Sequence, residues 1–173
     1  MDLQKAVRDP WVWGQLALFG LIGLGAPLLP RVVSLGKLDA LINRVDPNGV
    51  RWMGIPLITV GIAVAVWGVL SLGRSLTPGT EPLPGAPLGT AGAYAHVRHP
   101  IYAGIVLLLA GYTLAWSNWT LAVVVGLLAL AYFSGKAKAE ERWLVRRYPA
   151  YESYMRRVPR RTPTLVSAAG SVS

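Results

Sequence analysis

Residues 54–72 read GIPLITVGIAVAVWGVLSL, an uninterrupted run with no charged side chain, bracketed by Arg51 and Arg74. A helix rises about 1.5 Å per residue, so a run of this length crosses the roughly 30 Å hydrocarbon core of a bilayer. Residues 11–29 form a second uncharged run of the same kind. Residues 101–116 and 119–133 are apolar but shorter, and only Ser117 and Asn118 separate them, which predicts a tight helical hairpin. These two reach across by recruiting flanking polar residues or thinning the bilayer locally. The pattern predicts an all-α integral membrane protein with about four transmembrane helices, a C-terminal helical hairpin and a cytoplasmic helical extension.

Composition agrees. Of 173 residues 53% are hydrophobic, and the mean hydropathy of +0.44 is too high for a soluble domain of that size. Nineteen glycines would weaken soluble helices, yet glycine lets membrane helices approach closely. Lys5 and Arg8 before an apolar run resemble a signal peptide, but the run is long and lacks a small-residue cleavage site, so a retained span is expected. The absence of Cys excludes disulfides, thiolate zinc sites and cysteine nucleophiles.

The net charge of +9 is distributed by the spans. With four spans, the termini and the loop of residues 73–100 share a side that carries thirteen of the seventeen Lys and Arg; Arg31, Lys37, Arg44 and Arg51 fall on the other. The positive-inside rule makes the richer side cytoplasmic, as in a bacterial inner membrane. Basic residues that follow span boundaries point to anionic lipid, and no nucleic-acid partner is expected.

Residues 83–93 are rich in Gly and Pro and predict a non-helical loop. Residues 31–52, with the turn Pro47-Asn48-Gly49, predict a short interfacial helix or a further membrane segment. Beyond Phe133 no helix breaker occurs until Pro149, so the fourth span continues as one long helix. On it Lys136 and Glu140 lie one turn apart, and their simplest reading is a solvated ion pair worth about a few tenths of a kcal/mol.

Residues 92–104, GAYAHVRHPIYAG, carry the chemistry. Pro100 suits the first position of a helix and pushes His99 towards an extended conformation. His99 then sits at the mouth of the third span, where unpaired N–H groups and the helix dipole favour an anion, such as the carboxylate of an amino-acid-like cofactor. Tyr102 can turn its ring back to that mouth, and Gly104 leaves room for a ligand or a neighbouring backbone. A capping His and an interfacial Tyr give the same pattern. His96 and His99 make no metal pair, because Pro100 interrupts the helix they would share and no Cys is present to complete a site.

The order Gly92-x-Tyr94, Arg98-His99-Pro100-x-Tyr102-x-Gly104, an apolar hairpin, Glu140-Glu141-x-x-Leu144, Tyr151-x-x-Tyr154 and Val158-Pro159-Arg160 resembles the isoprenylcysteine carboxyl methyltransferase family and its bacterial relatives. The resemblance covers about residues 83–163. It implies S-adenosyl-L-methionine as cofactor, enclosed between the loop before the hairpin and the helix after it. Its contacts would fall on Leu88, Gly89, Tyr94, His99, Pro100, Tyr102 and Glu140. A basic residue near the substrate in that family falls on Lys136, so Lys136 and Glu140 are the catalytic candidates. Lys stands where eukaryotic members carry Arg, and Ala86 stands where relatives can carry His. The implied acceptor is a lipid or prenylated small molecule, and for an amine acceptor Glu141 or Tyr94 would assist.

Two other readings share these features. An NADPH-dependent membrane reductase of the sterol-reductase kind resembles the same hairpin, and a non-enzymatic membrane scaffold would use the motif only for packing. The organisation expected is residues 1–82 as N-terminal membrane helices, 83–163 as a methyltransferase core and 164–173 as a disordered tail. Any enzyme reading requires His99 and Glu140 to face one cavity.

Overall fold

Glycine spacing decides how the helices meet. The structure, a computed structural model, describes residues 7–28, 52–77, 79–81, 85–116 and 119–158. Its helices are α1 (Pro10–Leu28), α2 (Gly54–Leu72), α3 (Pro100–Trp116), α4 (Trp119–Arg147) and α5 (Tyr151–Arg157), and the described residues contain no strand. Gly54, Gly61 and Gly68 are buried on α2 and recur every seven residues, along one side of the helix. A Cβ on Gly61 would lie 2.7 Å from the Gly104 carbonyl oxygen, and one on Gly104 would lie 2.6 Å from that of Gly61. The two backbones therefore touch, a contact that small residues permit inside a membrane. Gly54 meets Gly111 and Ala115 while Gly68 meets Ile101, so α3 runs antiparallel to α2.

Among the described residues three helices, α1, α2 and α4, are long and apolar enough to cross a membrane. α3 has 17 residues and falls just short of that length. It nevertheless accompanies α2 from Gly54 to Gly68, so the expected fourth apolar helix is present beside a full-length span. α4 is unbroken over 29 residues, as the lack of a breaker before Pro149 predicts.

α1 docks on α3 and α4. Ile22, Leu109, Val125, Ala129 and Phe133 form the core where the three meet, and the Tyr112 hydroxyl donates to the Gly23 carbonyl at 3.1 Å. Outward side chains such as Leu21, Leu24, Leu70 and Leu127 are exposed, the arrangement expected where lipid is the solvent.

One end of the bundle gathers the start of α1, the end of α2, the start of α3 and the far part of α4. Asp9 ties part of it together: Oδ1 accepts the Trp11 N–H at 2.9 Å, and Oδ2 accepts the Thr80 N–H at 2.6 Å and hydroxyl at 2.9 Å. Residues 29–51, Ser117, Asn118 and 159–173 lie outside the described residues, and with them the expected interfacial segment, the hairpin turn and the tail.

Candidate active site

The loop before α3 is pinned by its own sequence. Gly92 has φ +60°, and a side chain there would collide with Ser71. The Ser71 hydroxyl donates to the Trp67 carbonyl at 2.7 Å and accepts the Ala93 N–H at 3.0 Å, fixing the short 3-10 turn Gly92–Ala95 to the end of α2. The Tyr154 hydroxyl donates to the Tyr94 carbonyl at 2.7 Å, and that of Tyr148 to the Ala86 carbonyl at 2.5 Å. Leu88 packs on the Tyr151, Tyr154 and Val158 cluster of α5 and its flank. Gly89 admits Leu72, whose Cδ1 would lie 2.7 Å from a Cβ.

Pro100 opens α3 as the sequence predicts. His99 precedes it, buried, and its carbonyl accepts the Ala103 N–H at 3.1 Å. Its ring stacks on that of Tyr102, with centroids 5.3 Å apart and planes within 3°. The Tyr102 hydroxyl donates to Glu140 Oε2 at 2.9 Å, and His99 Nδ1 lies 3.6 Å from the same oxygen. Glu141 turns the other way: its Oε1 is 3.1 Å from His99 Nε2 and accepts from Arg98 Nη1 at 3.0 Å. Lys136 is 2% exposed; its Nζ donates to Gln15 Oε1 at 2.6 Å and lies 5.6 Å from the centre of the Tyr102 ring.

These groups surround one cavity of about 400 Å³. That is within the ~300–1,000 Å³ typical of small-molecule sites. Leu88, Gly89, Tyr94, His99, Tyr102, Lys136 and Glu140 all line it, so the residues singled out in the sequence converge. Pro100 stands apart: its Cγ would lie 3.2 Å from a Cβ on Gly68, and it packs against α2. Glu141 is also outside the lining. Sequence reasoning missed Gln15 and the stretch Ser75, Leu76 and Thr77, which complete the wall. The one available signal was that Gln15 is the sole side-chain amide in an apolar run.

Electrostatically the rim holds protons. Burial, then Glu140 and Tyr154, push the Tyr94 phenol above its ordinary range. Burial raises Tyr151 likewise, and it carries Tyr154 up to about 12 against the opposing pull of Arg98. At neutral pH these phenols are hydrogen-bond donors and not bases.

Residues 53–146 match the profile of the isoprenylcysteine carboxyl methyltransferase (ICMT) family, more than half of the 173-residue chain. The chain belongs to this family. The ICMT match begins well before residue 83, where the motif resemblance starts, and takes in α2, whose backbone touches that of α3. The nickel-cobalt-cadmium resistance protein NccN of Alcaligenes xylosoxydans xylosoxydans is 30% identical over 140 residues, which cover 78% of this chain and 63% of that protein. The protein-S-isoprenylcysteine O-methyltransferase of Schizosaccharomyces pombe is 33% identical over 79 residues, which cover 45% of this chain and 34% of that protein. The chain thus spans less than two thirds of the length of either curated relative. Gln15, Tyr148, Tyr151 and Tyr154 of the cavity wall lie outside the ICMT match.

Proposed function

We propose that the chain transfers a methyl group from S-adenosyl-L-methionine to the polar head of an amphiphile held in the membrane, such as the carboxylate of an isoprenylcysteine-like lipid. The observation that carries this reading is the shared cavity of His99 and Glu140, set at the start of α3 with Tyr102 between them. Its groups suit the cofactor: a carboxylate on Glu140 for an ammonium, the start of α3 beside His99 for a carboxylate, and phenols for the remaining polar atoms. A dinucleotide such as NADPH carries a second nucleoside unit, and the size of the cavity favours the smaller cofactor.

When bound, the sulfonium supplies both the methyl group and a leaving group that departs neutral, so no acid is needed. What the protein supplies is alignment. Tyr102 fixes the Glu140 carboxylate, His99 and the N–H groups of α3 hold the amino-acid end, and Lys136 orients an anionic acceptor. Holding reactants at attack geometry is worth about 7–11 kcal/mol, enough to be the main effect. Apolar Leu72, Leu76, Ile101 and Ile105 share the lining and exclude water from the reacting groups.

The core of this reading is residues 83–163, and the distribution of Lys and Arg supports a cytoplasmic site at a bacterial inner membrane. Calorimetric titration of the purified chain with S-adenosylhomocysteine tests it. Binding that is weakened in His99→Ala and Glu140→Ala is expected; affinity unchanged from the unsubstituted protein in both variants, or NADPH as the ligand that binds, overturns the reading.

A further inference from the structure

α1 carries one side-chain amide, Gln15, in an otherwise apolar helix. Such a group is costly in a membrane helix unless it meets a partner inside the protein. Gln15 meets Lys136 of α4, whose Nζ donates to its Oε1 at 2.6 Å, and both side chains line the cavity.

The register that produces this contact is built into the helices. A Cβ on Gly14 would lie 2.9 Å from the Tyr132 hydroxyl, and one on Gly135 would lie 2.8 Å from the Trp11 ring. The Tyr132 hydroxyl also donates to the Trp11 carbonyl. Two glycines, one on each helix, thus let the first turns of α1 settle on α4, and Gln15 follows Gly14 directly. α1 lies wholly outside the family match of residues 53–146.

An ammonium is a point charge and imposes no plane on what it binds. An amide is planar, and with its oxygen accepting from Lys136 its two N–H donors lie in a rigid plane anchored to that charge. Charge and a directed donor together define an orientation for a planar anion.

We propose that Gln15 is an acceptor-positioning residue, forming with Lys136 a two-donor seat for the carboxylate head of the methyl acceptor. This rests on the methyl-transfer reading above. The apolar side chains Leu72, Leu76, Ile101 and Ile105 give the same cavity a lining suited to the hydrocarbon that adjoins such a head.

The test titrates the full chain, saturated with S-adenosylhomocysteine, with an S-prenyl thioacetic acid and with its carboxamide. The acid is expected to bind at least about tenfold tighter than the amide, the scale of one charge-assisted hydrogen bond. Gln15→Leu is expected to lose most of that preference. Gln15→Glu guards against a folding defect, because its carboxylate still partners Lys136, and it is expected to abolish the preference by cancelling the charge that faces the head. A Gln15→Glu protein that keeps the full preference for the acid overturns the proposal. If the unchanged protein does not bind S-adenosylhomocysteine, the methyl-transfer reading falls and this seat with it; if it binds and only the acid preference is insensitive to residue 15, the seat alone falls.

Discussion

His99 Nδ1 lies 3.6 Å from Glu140 Oε2, which joins the mouth of α3 to the extension of α4 across the cavity. The neighbouring acid holds the opposite edge of the same ring, with Glu141 Oε1 3.1 Å from His99 Nε2. Two consecutive carboxylates on one helix thus grip one imidazole from both sides, and only Glu140 lines the cavity. Adjacent residues of identical charge should therefore separate cleanly by phenotype.

Glu140→Gln keeps the shape of the side chain and removes its charge. A hydrogen bond to a charged group contributes about 1.5–3 kcal/mol, so affinity for S-adenosylhomocysteine is expected to fall by about tenfold to a hundredfold. Tyr102→Phe removes a donor that only positions Glu140, and a smaller loss is expected. Calorimetry of the two variants checks the order; a greater loss in Tyr102→Phe would make the phenol the direct contact.

Glu141→Ala should act on stability. It leaves Arg98, whose Nη1 donates to Glu141 at 3.0 Å, without this buried counter-charge. Breaking such a pair costs on the order of 3–5 kcal/mol. Thermal unfolding in detergent is expected to show a clear drop in Tm for Glu141→Ala and little change for Glu140→Gln.

The apolar runs of α1 and α2 and the breaker-free stretch of α4 made the helical fold legible, because length and charge in a bilayer depend on sequence locally. The Pro100 start placed His99 and Tyr102 at the mouth of a helix by local rules alone, but a capping His, an interfacial Tyr and a solvated Lys136–Glu140 pair fitted the same residues, and it was the order of motifs resembling the family that drew His99, Tyr102 and Glu140 into one site. Gln15 and residues 75–77 were not, since their part in the wall depends on the register between α1 and α4 and on the Asp9–Thr80 contact, both made by residues distant in sequence. Pro100 was placed among the cofactor contacts by the family resemblance, and its ring fills the junction with Gly68.

The α2–α3 seam offers a test remote from the cavity. A Cβ on Gly104 would lie 2.6 Å from both the Ala65 nitrogen and the Gly61 oxygen, and neither backbone atom can rotate away. Gly104→Leu is expected to force the helices apart at a cost of about 1–3 kcal/mol or more. Because α3 carries Tyr102 and follows directly on His99, cofactor affinity should fall together with Tm. Unchanged unfolding of Gly104→Leu would show that the seam is looser than described.

Asp9 gives the pH dependence. Burial tends to raise its carboxyl, but hydrogen bonds from the Thr80 and Trp11 N–H groups and the Thr80 hydroxyl, helped by the charge of Lys136, hold it below the ordinary aspartate range. The folded value lies below the unfolded one, so the contact contributes stability above the unfolded value and loses it as pH falls through the folded one. Asp9→Ala removes a helix cap, worth about 0.5–2 kcal/mol, and unties α1 from Thr80. The Tm gap between the unchanged protein and Asp9→Ala is expected to be full at pH 7 and to narrow as pH falls below about 4, the range of an ordinary aspartate. A gap of constant size down to strongly acidic pH would mean that the ionised carboxylate is not what ties α1 to the segment after α2.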